Sequence, residues 1–278
     1  MAGKAKAVKA KKPGTGVTLW KEQMKEAAKK QAASEKVVGG FPSISTRGGV
    51  LSIDDTPVKD NKMDMVILMA VHENAYYPDA YDPANAQIPV CYAFAGEGDD
   101  PDAMKPHPDS AEPQCATCAD CELNQMGSAE TGRGKACKNI RRLALTTEDA
   151  FADAEAFDEA EIRGLKVPVT STRNFAKYVK RLDEEQELPT FGVVTEIEAL
   201  RDPKTQFKLQ FSFVSELAFS QPLFDAVTKK RAELAKDMVL PYQQPSEDEP
   251  APRRGKVNKK IAGKLSTNAR TPKNKTHR

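Results

Sequence analysis

The feature of this sequence that most constrains its fold is a dense cluster of cysteines. Four of the five cysteines in the 278-residue chain lie in the stretch "CATCADCELNQMGSAETGRGKAC", from Cys115 to Cys137, and the fifth is Cys91. No stretch approaches the roughly 18 consecutive apolar residues of a membrane span, and no apolar signal segment is visible, so we expect a cytoplasmic protein. In a reducing cytoplasm such a cluster favours metal binding over disulfides.

The spacing of the cysteines favours zinc. Zinc takes four ligands in a tetrahedron, commonly including two cysteines separated by two residues. Cys118 and Cys121 form such a pair, Cys115 and Cys118 form an overlapping one, and Cys137 is the natural third ligand. The fourth ligand is either Cys91 or Cys115. Three cysteines at C-x-x-C-x-x-C also resemble iron-sulfur ligation, so a redox or nuclease protein with an iron-sulfur cluster is an alternative.

No catalytic constellation is visible in the sequence. There is no thiolate-base pair and no Ser/His/Asp set, and the "GRGK" at residues 132–135 is too short for a phosphate-binding loop. A zinc ion held by four thiolates has no open position for water or substrate, so its role is structural. We therefore expect a protein that is not an enzyme, in which zinc folds a lobe with few apolar residues of its own.

The charges are distributed very unevenly along the chain. Residues 1–30 carry +7 and residues 253–278 carry +10 without an acidic residue, whereas the net charge of the whole chain is +2. The intervening residues 31–252 must therefore carry −15. The two basic arms have the charge to neutralise nucleic-acid phosphates, and equally to fold back on the acidic body.

Composition divides the chain into four segments. Residues 1–17 form a low-complexity basic arm that we expect to be disordered, and residues 18–40 form a short helix, up to about residue 33, and a linker. Residues 41–243 form the folded core, with a zinc-binding insertion at about 78–140. Residues 244–278 form a disordered basic tail.

Hydrophobic periodicity predicts an α+β, mainly β core. Two short strands are expected around a glycine turn at residues 47–49, a strand buried on both faces at 63–74, and a strand at 141–147. A helix is expected at 171–185, opened by Ser171 or Thr172 and stopped by Pro189. An antiparallel hairpin at 191–214 and a helix at 221–238 follow. These elements fit a small antiparallel OB-like barrel with a zinc-binding loop insertion and flanking helices.

A basic patch follows the cysteines in the sequence. It contains five basic residues within ten positions: Arg133, Lys135, Lys138, Arg141 and Arg142. On a rigid lobe this patch suits a phosphate backbone, although a solvated charged face has the same sequence pattern. Aromatic residues in the neighbouring loops suit either stacking on unpaired bases or packing against the lobe. They are Tyr76, Tyr77, Tyr81, Tyr92 and Phe94, of which we select Tyr77 and Tyr81 as base-binding candidates.

Several motifs together resemble a family of tailed-phage proteins. They are "FPSIS" before a glycine-rich turn, "YYPDAYDP", "CADCELNQMGS", "GKACKNIRRLAL" and "PTFGVVTEIE", and they span about residues 41–215. The family has a CxxC-x-x-N-x-x-GS…KAC-x-x-x-RR signature and is remotely similar to phage single-stranded DNA-binding proteins. The resemblance implies Cys91, Cys118, Cys121 and Cys137 as the zinc ligands, with Cys115 as an addition and alternate ligand.

These observations lead to the hypothesis of a phage single-stranded DNA-binding protein that acts in DNA replication or recombination, with zinc as its cofactor. Its expected partners are single-stranded DNA and replication or recombination proteins, and no membrane. Its expected location is the cytoplasm, that of the host cell if the protein is phage-encoded. The alternative is a zinc-stabilised regulatory or protein-interaction module without strand selectivity, whose acidic body binds a basic partner.

Overall fold

The computed structural model describes residues 24, 42–79, 87–130 and 133–242. The strands in these ranges are β1 (Ser43–Ile44), β2 (Ser52–Ile53), β3 (Thr56–Pro57), β4 (Lys62–Tyr76), β5 (Cys91–Ala95), β6 (Lys138–Thr146), β7 (Arg163–Val167), β8 (Val193–Asp202) and β9 (Gln206–Glu216). The α-helices with described bounds are α1 (Ala154–Asp158), α2 (Val169–Arg181) and α3 (Gln221–Asp237). None of the helices in the described ranges is long and apolar enough to cross a membrane.

Seven of the described strands form one curled sheet. Its order is β1-β7-β6-β4-β8-β9, with β5 added alongside β4. The neighbours are antiparallel except for the parallel pair of β1 and β7. The protein is therefore a mixed α+β protein dominated by a curled sheet with few helices, which confirms the sequence prediction at this level.

The sheet is assembled on β4. Residues 62–65 of this strand pair with residues 195–198 of β8, and its remaining residues pair with β6. The register to β6 shifts between Ile67 and Met69, which is a β-bulge, and a bulge bends its strand and increases its twist. All five residues from Met65 to Met69 are buried, as expected for a strand covered on both faces.

Each face of the sheet is covered by a helix. On one face Phe175 and Tyr178 of α2, and Leu182 directly after it, are buried against apolar residues of β4, β6, β7, β8 and β9. On the other face α3 and α1 pack on β4 with a second set of buried side chains, Phe157, Leu223, Val227 and Leu234. The two clusters explain why β4 has no polar face over its middle residues.

Helix α2 also covers the free edge of β9, which is the last strand of the sheet. The Ser171 hydroxyl accepts a hydrogen bond from Leu209 N at 2.8 Å, and Asn174 Nδ2 donates to Leu209 O at 2.9 Å. The prediction that Ser171 or Thr172 opens the helix is wrong, because the helix begins at Val169 and Ser171 is buried against the edge strand. Thr172 lies within the first turn, where its hydroxyl donates to Val169 O.

The other predicted elements largely match the structure. The buried strand, the hairpin and the second long helix are β4, the β8–β9 pair and α3. Strands β5 and β7 were not predicted, because each has only five residues and lies beside segments rich in proline or acidic residues. The predicted helix at residues 18–33 lies outside the described residues apart from Met24, and both basic arms lie outside them as well.

Residues 42–61 connect the two edges of the sheet. Strand β1 pairs with β7 at one edge, and the turn at Arg47–Gly49 packs on β9 at the other. Gly49 has a φ of 77°, and a Cβ at this position would lie 3.0 Å from the Cβ of Phe207, so the turn requires glycine. Asn61 fixes the segment, because its amide side chain accepts from Leu51 N at 2.7 Å and donates to the carbonyl oxygens of Gly49 (2.8 Å) and Ala199 (2.7 Å).

Substitution of Asn61 tests this connection. Asn61→Ala removes three hydrogen bonds, each worth roughly 0.5–1.5 kcal/mol, and leaves a Cβ at a φ of 58°. That left-handed conformation costs alanine about 1 kcal/mol more than glycine. We expect both Asn61→Ala and Asn61→Gly to lower the free energy of urea unfolding, and Ala to lower it more. A larger loss for Gly than for Ala would contradict the role of the backbone conformation.

Candidate metal centre

All five cysteines line one small cavity at the end of the sheet. The cavity lies between the last residues of β4, the start of β5 and the loop that leads into β6. Cys91, Cys118 and Cys121 are buried, Cys115 and Cys137 are partly exposed, and none of them forms a disulfide. The structure therefore brings together every cysteine that the sequence analysis selected.

The register of the sheet positions two of these cysteines. Cys91 opens β5 and pairs with Tyr76, whereas Cys137 precedes Lys138, which pairs with Ala75 from the other side of β4. Cys91 and Cys137 therefore flank the end of β4 on the same face of the sheet. Two strand spacings separate their backbones by about 10 Å, which exceeds the ~7 Å limit for a disulfide. A ligand shared between the thiols fits this separation better than a bond.

The loop that contains Cys118 and Cys121 is tied to the start of β6 by one side chain. Asn124 Nδ2 donates to Cys118 O at 2.7 Å. Its Oδ1 accepts from Lys135 Nζ at 3.2 Å and from Asn139 Nδ2 at 3.0 Å. These bonds explain the asparagine of the CxxC-x-x-N motif, since it holds the cysteine loop against the strand that follows Cys137.

The "GS" of the same motif closes the loop between the cysteines. The Ser128 hydroxyl lies within hydrogen-bonding distance of the carbonyl oxygens of Leu123 (2.8 Å) and Gln125 (2.7 Å), and it accepts from Ala136 N at 2.9 Å. Gly127 has a φ of 91°, a conformation that favours glycine. The chain is thereby turned back towards the cavity.

The donor chemistry of the cavity fits zinc, although the thiols are not already arranged around one point. Over the ranges that the structure describes, no group of three or more His, Cys, Asp or Glu side chains is positioned to hold a metal ion. His107 does not line the cavity, and its ring stacks on Tyr92 with centroids 5.1 Å apart. Thiolates are the ligands that zinc uses in structural sites. The residues that would hold it are Cys91, Cys118, Cys121 and Cys137, with Cys115 as the alternate.

Burial favours the neutral form of four of these thiols, those of Cys91, Cys115, Cys118 and Cys137, by raising their pKa values. It raises the pKa of Cys137 to about 12, and the nearby thiols of Cys118, Cys91 and Cys121 add to the effect. Burial also raises the pKa of Cys115 to about 12, with Cys121 as its main partner, and it raises the pKa values of Cys91 and Cys118. The three thiols that act on Cys137 are the other members of the four-cysteine set.

The predicted basic patch divides into exposed and engaged residues. We call the loop at residues 96–137, between β5 and β6, the cysteine lobe. Arg133 on this lobe and Lys138 directly after it are exposed. Lys135 is half-buried and bonds Asn124. Arg141 is also half-buried, and burial lowers its pKa. Of these four residues, Arg133 and Lys138 present the charge that is most accessible to a ligand.

Arg142 lies in a buried ionic cluster on the opposite face of the sheet. It forms an ion pair with Glu73, whose side chain is 0% exposed, and its Nη1 donates to Met238 O at 3.1 Å. Its guanidinium carbon lies 4.5 Å from the ring centroid of Phe94 and 5.0 Å from that of Tyr242. Burial acts to lower the pKa of Arg142, but the hydrogen bond and charge of Glu73 outweigh it and the pKa is raised. Arg142 is thus fully engaged within the fold.

Tyr77 belongs to the same cluster. Burial raises its pKa, and its hydroxyl lies next to that of Tyr242. Tyr242 donates to Glu73, and its ring meets Tyr92 edge-on with centroids 5.1 Å apart. Tyr81 lies outside the described residues. The sequence analysis missed Glu73 and Tyr242, and the one available signal was the carboxylate that closely follows the apolar run of β4.

Comparison of the chain with protein-family models, curated proteins and solved structures finds no match. The resemblance to the tailed-phage family, which rests on the quoted motifs, therefore stays a prediction.

His72 tests the electrostatics beside the cavity. It pairs with Arg141 across β4 and β6, and burial, together with the charge of Arg141, lowers its pKa to about 4. Because this value lies below the ordinary 6.5, the contribution of neutral His72 to stability is complete above pH 6.5 and is lost as the pH falls towards 4. We expect His72→Gln to remove this part of the acid sensitivity in urea unfolding, whereas His107→Gln retains it. Identical pH profiles for wild type and His72→Gln would contradict the assignment.

Proposed function

We propose that this protein binds single-stranded DNA through an OB-like barrel with a zinc-stabilised lobe, and that it acts in phage DNA replication or recombination. The observation that carries the proposal is that the cysteine lobe lies in the connection between β4 and β6, two neighbouring strands of the sheet. Zinc would supply no chemistry beyond structural cross-linking of the loop, because four thiolates close its coordination sphere. The chain is not proposed to be an enzyme.

The strand order supports an OB-like barrel. Apart from the two-residue β1 and from β5, which pairs only with β4, the sheet consists of five strands with antiparallel neighbours. They occur along the chain as β4, β6, β7, β8 and β9, and they lie across the sheet in the order β7, β6, β4, β8 and β9. Helix α2 connects β7 to β8, which are the third and fourth of these strands along the chain. This order supports the proposal of an OB-like barrel, since the OB-fold is a partly open five-stranded barrel. The bulge in β4 supplies the bend that lets one strand pair with both halves.

The position of the lobe supports binding of an oligonucleotide. OB-folds bind oligonucleotides on their second and third strands and with the loops between strands one and two and between strands four and five. The cysteine lobe lies in the first of these loops, because it is part of the connection between β4 and β6. Arg133 and Lys138 expose their charges there and can neutralise backbone phosphates. The resemblance to tailed-phage proteins supports the role in replication or recombination.

Fluorescence-anisotropy titration of the full chain with labelled oligonucleotides tests the function. We expect single strands to bind more tightly than a duplex of the same sequence, with an affinity that falls steeply with salt. The double variant Arg133→Gln/Lys138→Gln should bind more weakly, and its salt slope should fall by about 0.7 for each lost phosphate contact. The matched variant Lys229→Gln/Lys236→Gln, on the exposed face of α3, should behave as wild type. Binding without strand selectivity would favour a zinc-stabilised interaction module.

Metal analysis of the same protein tests the zinc centre. We expect one zinc ion per chain, its loss in Cys118→Ser and its retention in Cys115→Ser. Because the metal folds the lobe, its loss should speed amide exchange throughout residues 115–137. Loss of zinc in Cys115→Ser with retention in Cys91→Ser would show that the fourth ligand is Cys115 and not Cys91. Bound iron with absorbance at about 400 nm would show that the cysteines hold an iron-sulfur cluster and not zinc.

A further inference from the structure

We propose that Tyr242 occupies a binding site for one unpaired nucleobase, and that single-stranded nucleic acid displaces it. The site lies on the face of the sheet opposite the cysteine cavity, where Tyr242 contacts residues of β5, β4, β6 and β7. This inference rests on the proposed function. It adds the position of a subsite and identifies the segment of the chain that closes it.

The floor of the site is built by pairs of residues that face each other across the sheet. Arg142 of β6 lies opposite Lys166 of β7, and Glu73 of β4 lies opposite Phe94 of β5. Tyr92, two residues before Phe94, shares this face because alternate residues of a strand point to the same side. The face therefore combines two aromatic rings, two cations and one carboxylate. In an OB-fold the second and third strands, here β6 and β7, bind the ligand.

Tyr242 makes the contacts that a bound base would make. Its ring meets Tyr92 edge-on at 5.1 Å, and the Arg142 guanidinium and Lys166 Nζ lie 5.0 and 5.2 Å from its centroid. Its hydroxyl donates to the buried carboxylate of Glu73. Unpaired bases bind proteins through aromatic and guanidinium contacts of this kind. Each base also carries an N–H donor on its Watson–Crick edge that can replace the tyrosine hydroxyl at Glu73.

The same geometry requires an unpaired base. In a duplex each base is stacked between its neighbours and paired on its Watson–Crick edge, so it cannot enter the position that the Tyr242 ring occupies. Two further groups remain available to a nucleotide. Lys166 Nζ bonds the Tyr242 hydroxyl at 3.3 Å, has no ion-pair contact among the described residues, and is the cation placed for a phosphate. The Tyr92 hydroxyl is buried next to the backbone of Tyr242, and within the described ranges it has no hydrogen bond of good geometry.

The segment that carries Tyr242 is suited to displacement. Helix α3 ends at Asp237, and residues 238–242 belong to no further helix or strand. Leu240 in the middle of the segment is 58% exposed, whereas Met238 and Val239 pack on the core before it and Tyr242 bonds Glu73 after it. Residues 253–278, which carry +10, follow shortly afterwards in the sequence. Binding of this tail to a nucleic acid would bring the strand to the site that Tyr242 covers.

Affinity measurements on the full chain test the site. If Tyr242 fills the site in about 90% of molecules, Tyr242→Ala should bind a labelled single strand ~10-fold more tightly. Leu240→Ala, in the same segment but without these contacts, should not change the affinity. Tyr242→Phe, which keeps the ring and loses the hydroxyl's bonds to Glu73 and Lys166, should give a smaller gain. In the Tyr242→Ala background Lys166→Gln should cancel the gain, whereas Lys229→Gln on the exposed face of α3 should retain it.

Hydrogen exchange on the wild-type protein provides a second measurement that needs no substitution. Saturation with the single strand should increase amide exchange in residues 238–242, and duplex should not. Equal single-strand affinities for wild type, Tyr242→Ala and Tyr242→Phe, or unchanged exchange in the saturated complex, would overturn the site and leave the proposed function standing. Failure of wild type and variants alike to bind single strands would overturn the proposed function as well. If Tyr242→Ala does not fold, Tyr242→Phe and the exchange measurement decide.

Discussion

The backbone pairing of one strand, β4, holds the whole structure together. Its first residues bond to β8 and its later residues bond to β6 and β5, so the two halves of the sheet meet on this strand alone. A strand that is paired on both edges and covered on both faces has little surface left for solvent, and the apolar run from Met65 to Met69 follows from this. The one carboxylate on its buried stretch, Glu73, requires the ion pair with Arg142, because an unpaired charge in that position would cost several kcal/mol.

The candidate metal centre and the Tyr242 site depend on the same register. Neighbouring residues of a strand point to opposite faces, so Cys91 faces the cavity while Tyr92 faces the ionic cluster. A shift of one residue between β4 and β5 would exchange the two faces and disrupt both sites. The sheet fixes the positions of Cys91 and Cys137. The hydrogen bonds of Asn124 and Ser128 hold the loop with Cys118 and Cys121 beside them.

Local patterns in the sequence were sufficient for the main elements and for the grouping of the cysteines. The apolar run of β4, the alternation in β8 and β9, and the C-x-x-C spacing each reflect a short-range physical requirement. Which residues of the basic patch are exposed depends on contacts between residues far apart in the sequence, and no local pattern contains that information. Arg142 reads as a free cation in the sequence, yet β4 places a buried glutamate beside it, and Tyr242 reaches the same cluster from beyond α3. The short strand β5 was missed because its five residues have little pattern of their own and form a strand by pairing with β4.

The contact of α2 with β9 has a consequence for how this molecule meets others. Open strand edges invite extended segments of other chains to extend the sheet, and such edges are a common origin of aggregation. Here Ser171 and Asn174 satisfy the outward backbone groups of Leu209 at the middle of the last strand. A partner that approaches this side therefore finds no complete row of free amides and carbonyls to pair with. Recognition at this edge must instead use side chains, which favours selective contacts over indiscriminate sheet extension.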